Sequence, residues 1–239
     1  LTFAASCYPR GRQHLHAAWR LMRVASFRYR SGEARVTPAV AADLRWWAEE
    51  LEGVGHEGVP LARCDAVAAG EASSIYADAS GEGGFAAWTV VGDAVLAVGG
   101  LWTADEREML ICDLELLAST FAVVAFAPFL QRAVLSYTDN TVAMAAMRSM
   151  TARSPPMQEM LARRTAWLEQ WGLLEEARRV TSKANVWADI GSRPELGGLP
   201  EVGRRAAALG LRFVVLDLPG GWRDTSGLRL HDPVWCGAL

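Results

Sequence analysis

Two periodicities divide the chain. Residues 1–70 read as mostly helical. From His14 to Arg28, Leu15, Ala18, Trp19, Met22 and Val24 recur at roughly helical spacing. Ser31-Gly32-Glu33 breaks that pattern. Thr37-Pro38 is a helix start, and Leu44, Trp47 and Leu51 then share one face. Gly53, Gly55, Gly58 and Pro60 make a loop.

From residue 73 the period shortens to that of strands. Residues 73–79, 84–91 and 94–101 are three candidates, the last two joined by a Gly92-Asp93 hairpin turn. Short turns between them predict an antiparallel meander. Thr103-Ala104-Asp105-Glu106 is a capping box, opening one helix expected to run to Phe126. That helix is apolar on nearly every side, so it belongs against a sheet. A fourth strand over 133–138, helices over 140–150 and 156–171, a fifth strand over 176–181 and a short helix over 184–192 follow. A long helical crossover makes the first and fourth strands parallel neighbours. Beyond Pro194 the pattern predicts a helix over 201–209, an apolar strand over 212–218 and an irregular tail. The expected fold class is α/β: a mixed five-stranded sheet, three antiparallel strands then parallel additions, with flanking helices and an N-terminal helical segment. The expected domains are 1–70, 71–195 and a C-terminal extension, 196–239.

Composition narrows this picture. The chain has 239 residues, 51% hydrophobic and 21% charged, which suits one large domain with flanking parts. No apolar run looks long and charge-free enough to span a bilayer, and Arg10, Arg12 and two histidines interrupt the start, against a secretory signal. Cys7, Cys64, Cys112 and Cys236 are scattered without a CxxC spacing. That argues against a zinc or disulfide framework and for a reducing, intracellular compartment, cytoplasm or nucleus. The net charge of −3 excludes a general nucleic-acid coating protein. An acidic catalytic centre in a nuclease is compatible with it. Among the basic residues only Lys183 is a lysine.

Four carboxylates stand in apolar surroundings: Asp78, Glu115, Asp139 and Asp189. Taken singly, three of them have a plain structural explanation. Asp78 precedes a glycine turn, Asp139 sits where a helix cap is common, and Asp189 is a helix-surface charge. Glu115 is less easily explained, because Ile111, Cys112, Ala118 and Ser119 at helical spacing form a small, apolar face. Asp113, two residues away, points elsewhere and is expected to be solvated. Clustered carboxylates repel one another unless cations hold them. Oxygen ligands suit Mg²⁺ or Mn²⁺. Two such ions about 4 Å apart activate water and stabilise the leaving oxygen of a phosphodiester.

Four blocks, YADAS, DLELLA, YTDNTVA and NVWADIGSR, resemble the motif blocks of ribonuclease H domains in retroelement reverse transcriptases of the DIRS and gypsy types. The resemblance covers roughly residues 73–194. It implies a ribonuclease H-like fold with Asp78, Glu115, Asp139 and Asp189 as catalytic ligands of two Mg²⁺ or Mn²⁺ ions. The implied substrate is an RNA–DNA hybrid, whose displayed 2′-hydroxyls distinguish RNA. Ser80, Gly81, Asn140, Lys183, Asn185 and Arg193 are the candidate nucleic-acid contacts. Arg148, Arg153, Arg163 and Arg164 are candidates for phosphates of the DNA strand, with solvated helix charges as the competing explanation. Residues 8–12 and 43–47 resemble, more loosely, the segment between polymerase and ribonuclease H. The chain would then be the C-terminal piece of a reverse transcriptase, partnered by the polymerase part of the same polyprotein and by no membrane. Many ribonucleases H carry a histidine before the last aspartate. Residues 178–188 have none, and Lys183 or Arg179 stands nearby instead.

Two other readings stay open. An integrase or transposase of the same fold uses two aspartates and a late glutamate, without a carboxylate on the first long helix. A non-catalytic nucleic-acid-binding module descended from a nuclease is the other.

Overall fold

The chain meets its apolar patterning with one sheet and helices on both faces, in a computed structural model that describes residues 9–28, 35–52 and 71–223. The breaks expected at residues 31–33 and 53–60, the tail beyond 223, and Cys7, Cys64 and Cys236 lie outside the described residues. Those residues fall into two units, one holding the helices before residue 61 and one holding the sheet.

In the first unit a 3-10 turn, Pro9–Leu15, leads into α1 (His16–Arg28), and α2 (Pro38–Glu52) follows. The Thr37 hydroxyl accepts from the Val40 amide at 3.3 Å, capping α2 as expected. Leu15 and Trp47 are buried together, with Trp19 and Trp46 against them. The Trp47 indole donates to the His14 carbonyl at 3.0 Å. Leu44 and Leu51, expected on the buried face with Trp47, are exposed, and Val40 is buried instead. The buried stripe is the one that Val40 and Trp47 define, seven residues apart, which is two helical turns.

The sheet unit has six strands, one more than expected: β1 (Ala72–Ala79), β2 (Gly84–Val91), β3 (Ala94–Leu101), β4 (Ala133–Thr138), β5 (Leu174–Arg179) and β6 (Arg212–Val215). Their order is β5-β4-β1-β2-β3-β6. The β1–β2–β3 meander is antiparallel. Strands β4 and β5 add in parallel beside β1, as the crossover rule requires. Part of the extension expected after residue 195 joins the sheet, since β6 runs parallel to β3.

The Thr103–Glu106 capping box is present, with both reciprocal bonds. Its helix is not continuous to Phe126. A single turn, α3 (Ala104–Arg107), ends at Glu108, and α4 (Ile111–Phe126) starts after an extended Leu110. Met109 turns into the core at this break. No glycine or proline marks the break, so the sequence carries no breaker signal there.

Helix α4 packs on the face of β1 and β2 that carries Ile75, Ala77, Phe85 and Ala87, all in the main core. The segment Ile111–Phe129 is in fact long and apolar enough to cross a membrane by length and composition, contrary to the first reading of the chain. It is mostly buried inside the protein. The crossovers supply α5 (Thr141–Ser149) and α6 (Pro155–Gln170). Helix α7 (Val186–Ser192) packs on the opposite face, with α8 (Gly198–Ala208) beside it. A Cβ on Gly191 would lie 2.5 Å from that of Ala86. Only a glycine allows α7 to approach β2 this closely.

Arg164, expected to reach DNA phosphates, is instead inside the protein at 2% exposure. It pairs with Glu175 of β5 and donates to Thr120 at 3.3 Å and Ser119 at 3.2 Å. Helix periodicity places it on the buried stripe with Met157, Met160, Leu161 and Leu168, so its charge required an internal partner.

Candidate metal centre

Three chain segments deliver carboxylates to one place. Asp78 comes from the end of β1, Glu115 from the second turn of α4, and Asp139 from the residue after β4. One oxygen from each lies within 4.8 Å of the other two. Strand alternation puts Asp78 on the α7 face, while Glu115 arrives from the α4 face. They meet beside the carboxyl ends of β1 and β4, where β4 has ended at Thr138.

Each carboxylate is held. The Ser192 hydroxyl donates to Asp78 at 2.7 Å. Thr138 donates to Glu115 at 3.4 Å, and the Ala79 amide also serves Glu115. Ser182 donates to Asp139 at 2.5 Å. The cap that was the plain explanation for Asp139 falls on Asn140, whose side-chain oxygen accepts from the Val142 and Ala143 amides at 2.9 and 3.0 Å. Asp139 is therefore left for the cluster.

The electrostatics are those of an acidic pocket. Burial pushes Asp78 up to about 6, reinforced by Asp139 and Asp189 and opposed by Ser192 and Arg193. Burial pushes Glu115 up to about 9, reinforced by Asp78 and Asp139. Both acids bind their protons more tightly folded than unfolded. Their contribution to stability is therefore greatest below the ordinary carboxylate range and is lost as pH rises toward 6 and 9. In EDTA the melting temperature should fall between pH 5 and 9, by several degrees for a loss on the order of 2 kcal/mol. Mn²⁺ should restore more of it at pH 8 than at pH 5, as thermal melts across that range would read.

Asp189 lies near this group without joining it. Its carboxylate accepts from Arg193 Nε at 2.7 Å, one turn along the chain, and is about one-third exposed. The Asp189 charge still acts on Asp78. Asn185, expected to touch nucleic acid, is fully buried. Its amide donates to the Ala77 carbonyl at 2.9 Å, tying α7 to β1 beside Asp78. Ser80 is buried too, and its hydroxyl accepts from the Gly83 amide at 3.3 Å. Its carbonyl accepts from the Trp102 indole at 2.7 Å, which fixes the glycine turn from below. Gly81 and Lys183 are exposed, and Arg193 is partly so.

Asp113 is buried rather than solvated and lies 3.4 Å from the Ser154 hydroxyl, which also caps α6. Burial pushes its carboxyl up. Helix α6 covers the side of α4 that seemed open. Arg148 donates to the Ala177 carbonyl at 2.8 Å. The Arg163 guanidinium lies 5.0 Å over Trp222. Arg153 is exposed. Thr138, Ser182 and Ser192 contact the three carboxylates and are not among the residues expected at the site; the two serines are the less legible. Both hydroxyls sit in the loop and helix around Asp189, and only their contacts reveal them.

The donor set suits a hard divalent cation, being all oxygen, acidic and enclosed. Asp78, Glu115 and Asp139 are the residues that would hold it.

No family model matches the sequence, and no curated protein matches it. Solved structures similar to it include the following two. One is RNase H1 from the halophilic archaeon Halobacterium salinarum NRC-1, 16% identical, covering 49% of this chain and 89% of that chain, with a TM-score of 0.38. The other is the N-terminal RNase H domain of rv2228c from Mycobacterium tuberculosis, solved as a fusion with maltose binding protein. It is 16% identical, covering 49% of this chain and 92% of that chain, with a TM-score of 0.35.

Proposed function

We propose that this chain is a divalent-metal-dependent endonuclease that hydrolyses the RNA strand of RNA–DNA hybrids, as part of a retroelement reverse transcriptase acting inside the cell. The observation that carries the metal site is the meeting of Asp78, Glu115 and Asp139 within 4.8 Å. The reaction class comes from the four motif blocks, which supply these three residues and Asp189 in the order the resemblance implies. Two Mg²⁺ or Mn²⁺ ions held there would supply Lewis acidity toward the phosphodiester and a more acidic water.

The chain's own groups have separable tasks. Thr138, Ser182 and Ser192 aim the three carboxylates. Arg193 holds Asp189 at the rim, where it is placed to complete the ligand set. The exposed Gly81 backbone, Arg193 and Lys183 flank the site on the side open to solvent, and they are the groups placed to meet an RNA strand. The polymerase part of the same polyprotein would present the hybrid.

The engaged Asp189 favours a second reading, in which the ligand set is incomplete and the module binds nucleic acid without cutting it. The integrase-like alternative is disfavoured, because Glu115 from the first long helix is in the cluster. Incubation with a hybrid labelled in its RNA strand, with and without EDTA, tests the proposal. RNA fragments that appear only with Mg²⁺ or Mn²⁺ are expected. An intact hybrid under both metals, with Mn²⁺ still raising the melting temperature, would leave the non-catalytic module.

A further inference from the structure

Three aromatic rings stack across the α7 face of the sheet, and a fourth, from α7, leans against the end of that stack. Tyr137 and Tyr76 are 4.7 Å apart with planes 7° from parallel. Tyr76 and Trp88 are 4.5 Å apart at 8°. Trp88 meets Trp187 of α7 at 5.0 Å with the planes tilted by 49°. The three strand residues are direct cross-strand partners, Tyr137 with Tyr76 and Tyr76 with Trp88. Ring spacing therefore follows the strand spacing of about 4.8 Å.

Two of these rings lie two residues before an aspartate of the proposed site along a strand: Tyr76 before Asp78 on β1, and Tyr137 before Asp139 at the end of β4. On a strand, two residues share a face and are separated by about 6.6 Å. Adjacent strands ordinarily twist by about 20–25°. Rings stacked nearly parallel over β4, β1 and β2 resist any change in that twist or any slide between strands. Those motions would part Asp78 from Asp139. The Trp88 indole nitrogen is buried and has no hydrogen-bond partner. An unmade bond of that kind is costly, so ring contact holds this side chain where it is. Helix α7 is pinned on either side of the stack, by Asn185 on Ala77 and by Ser192 on Asp78.

We propose that Tyr137, Tyr76, Trp88 and Trp187 are positioning residues, a rigid stack that sets the separation of the aspartates and so the affinity of the site for divalent metal. This rests on the metal site proposed above. The test is an Mn²⁺ titration of Tyr76→Leu and Tyr76→Phe, read both by protection against thermal unfolding and by hybrid cleavage. Tyr76→Leu should raise the half-saturating Mn²⁺ about tenfold or more, as loss of supporting contacts does at metal sites. Its cleavage at saturating Mn²⁺ should fall less than its cleavage at limiting Mn²⁺. Tyr76→Phe keeps the ring and should stay within about twofold of the parent. If Tyr76→Leu does not fold, Tyr137→Leu, at the half-exposed end of the stack, carries the same comparison.

A folded leucine variant with unchanged half-saturation overturns the inference. A parent protein that binds Mn²⁺ but leaves the hybrid intact removes the nuclease reading alone, and the binding curves still judge the stack. A parent protein that binds no Mn²⁺ removes both.

Discussion

Replacing Glu115 by glutamine should abolish metal-dependent hybrid cleavage and at the same time stabilise the metal-free fold. The two effects have one cause. Glu115 is buried at 5% exposure, and burial with Asp78 and Asp139 pushes its carboxyl up to about 9. At pH 8 the unfolded chain carries that charge freely, whereas the folded site resists it. Glutamine has nearly the same shape, keeps an oxygen for Thr138 and carries no charge. In EDTA at pH 8 the variant should gain on the order of 1–3 kcal/mol of stability. The gain should shrink toward pH 5, where the unfolded carboxyl also begins to hold its proton. Mn²⁺ should no longer raise the melting temperature appreciably. Cleavage should fall on the order of 10³-fold, the scale of removing a group that stabilises developing charge. Full cleavage by Glu115→Gln would instead point to the integrase-like arrangement, which makes no use of this residue.

Arg164→Met should be the most destabilising single change in the sheet unit, with a loss of about 3–5 kcal/mol. The guanidinium joins α6 to β5 through Glu175 and to α4 through Ser119 and Thr120, with Ser136 of β4 also in contact. Methionine leaves the Glu175 carboxylate buried without its counter-charge. A lower midpoint of urea unfolding at an unchanged slope would show this. The double change Arg164→Met, Glu175→Leu should recover most of the loss, because an apolar pair of similar volume avoids both desolvation penalties. A single variant as stable as the parent would mean that Glu175 is neutral or hydrated in the fold.

Much of the architecture was legible along the chain because it rests on local rules. Thr103 and Glu106 form their capping box wherever the chain goes. Gly92-Asp93 closes a hairpin from its own backbone preference, and a long crossover leaves β4 one favoured side of β1. The sites of failure share another cause. Asp113 lies on α4 under the start of α6, and Arg164 lies on the face of α6 turned to α4, so the packing of these two helices buries both charges. The break at Leu110 has no breaker residue. The strand expected over 212–218 forms over Arg212–Val215, and no local pattern shows that it adds to the edge of β3.

The sequence by itself determined which side chains are chemically out of place: four acids in apolar segments, of which Asp78, Asp139 and Asp189 each had a local explanation that sufficed on its own and Glu115 did not. Only the tertiary structure decided that Asp78, Glu115 and Asp139 share a pocket, that Asn140 takes the capping task from Asp139, and that Asp189 stands beside them against Arg193. The reason is separation along the chain. Glu115 and Asp78 are brought together beside the carboxyl ends of β1 and β4, and no periodicity within either segment encodes the distance between them.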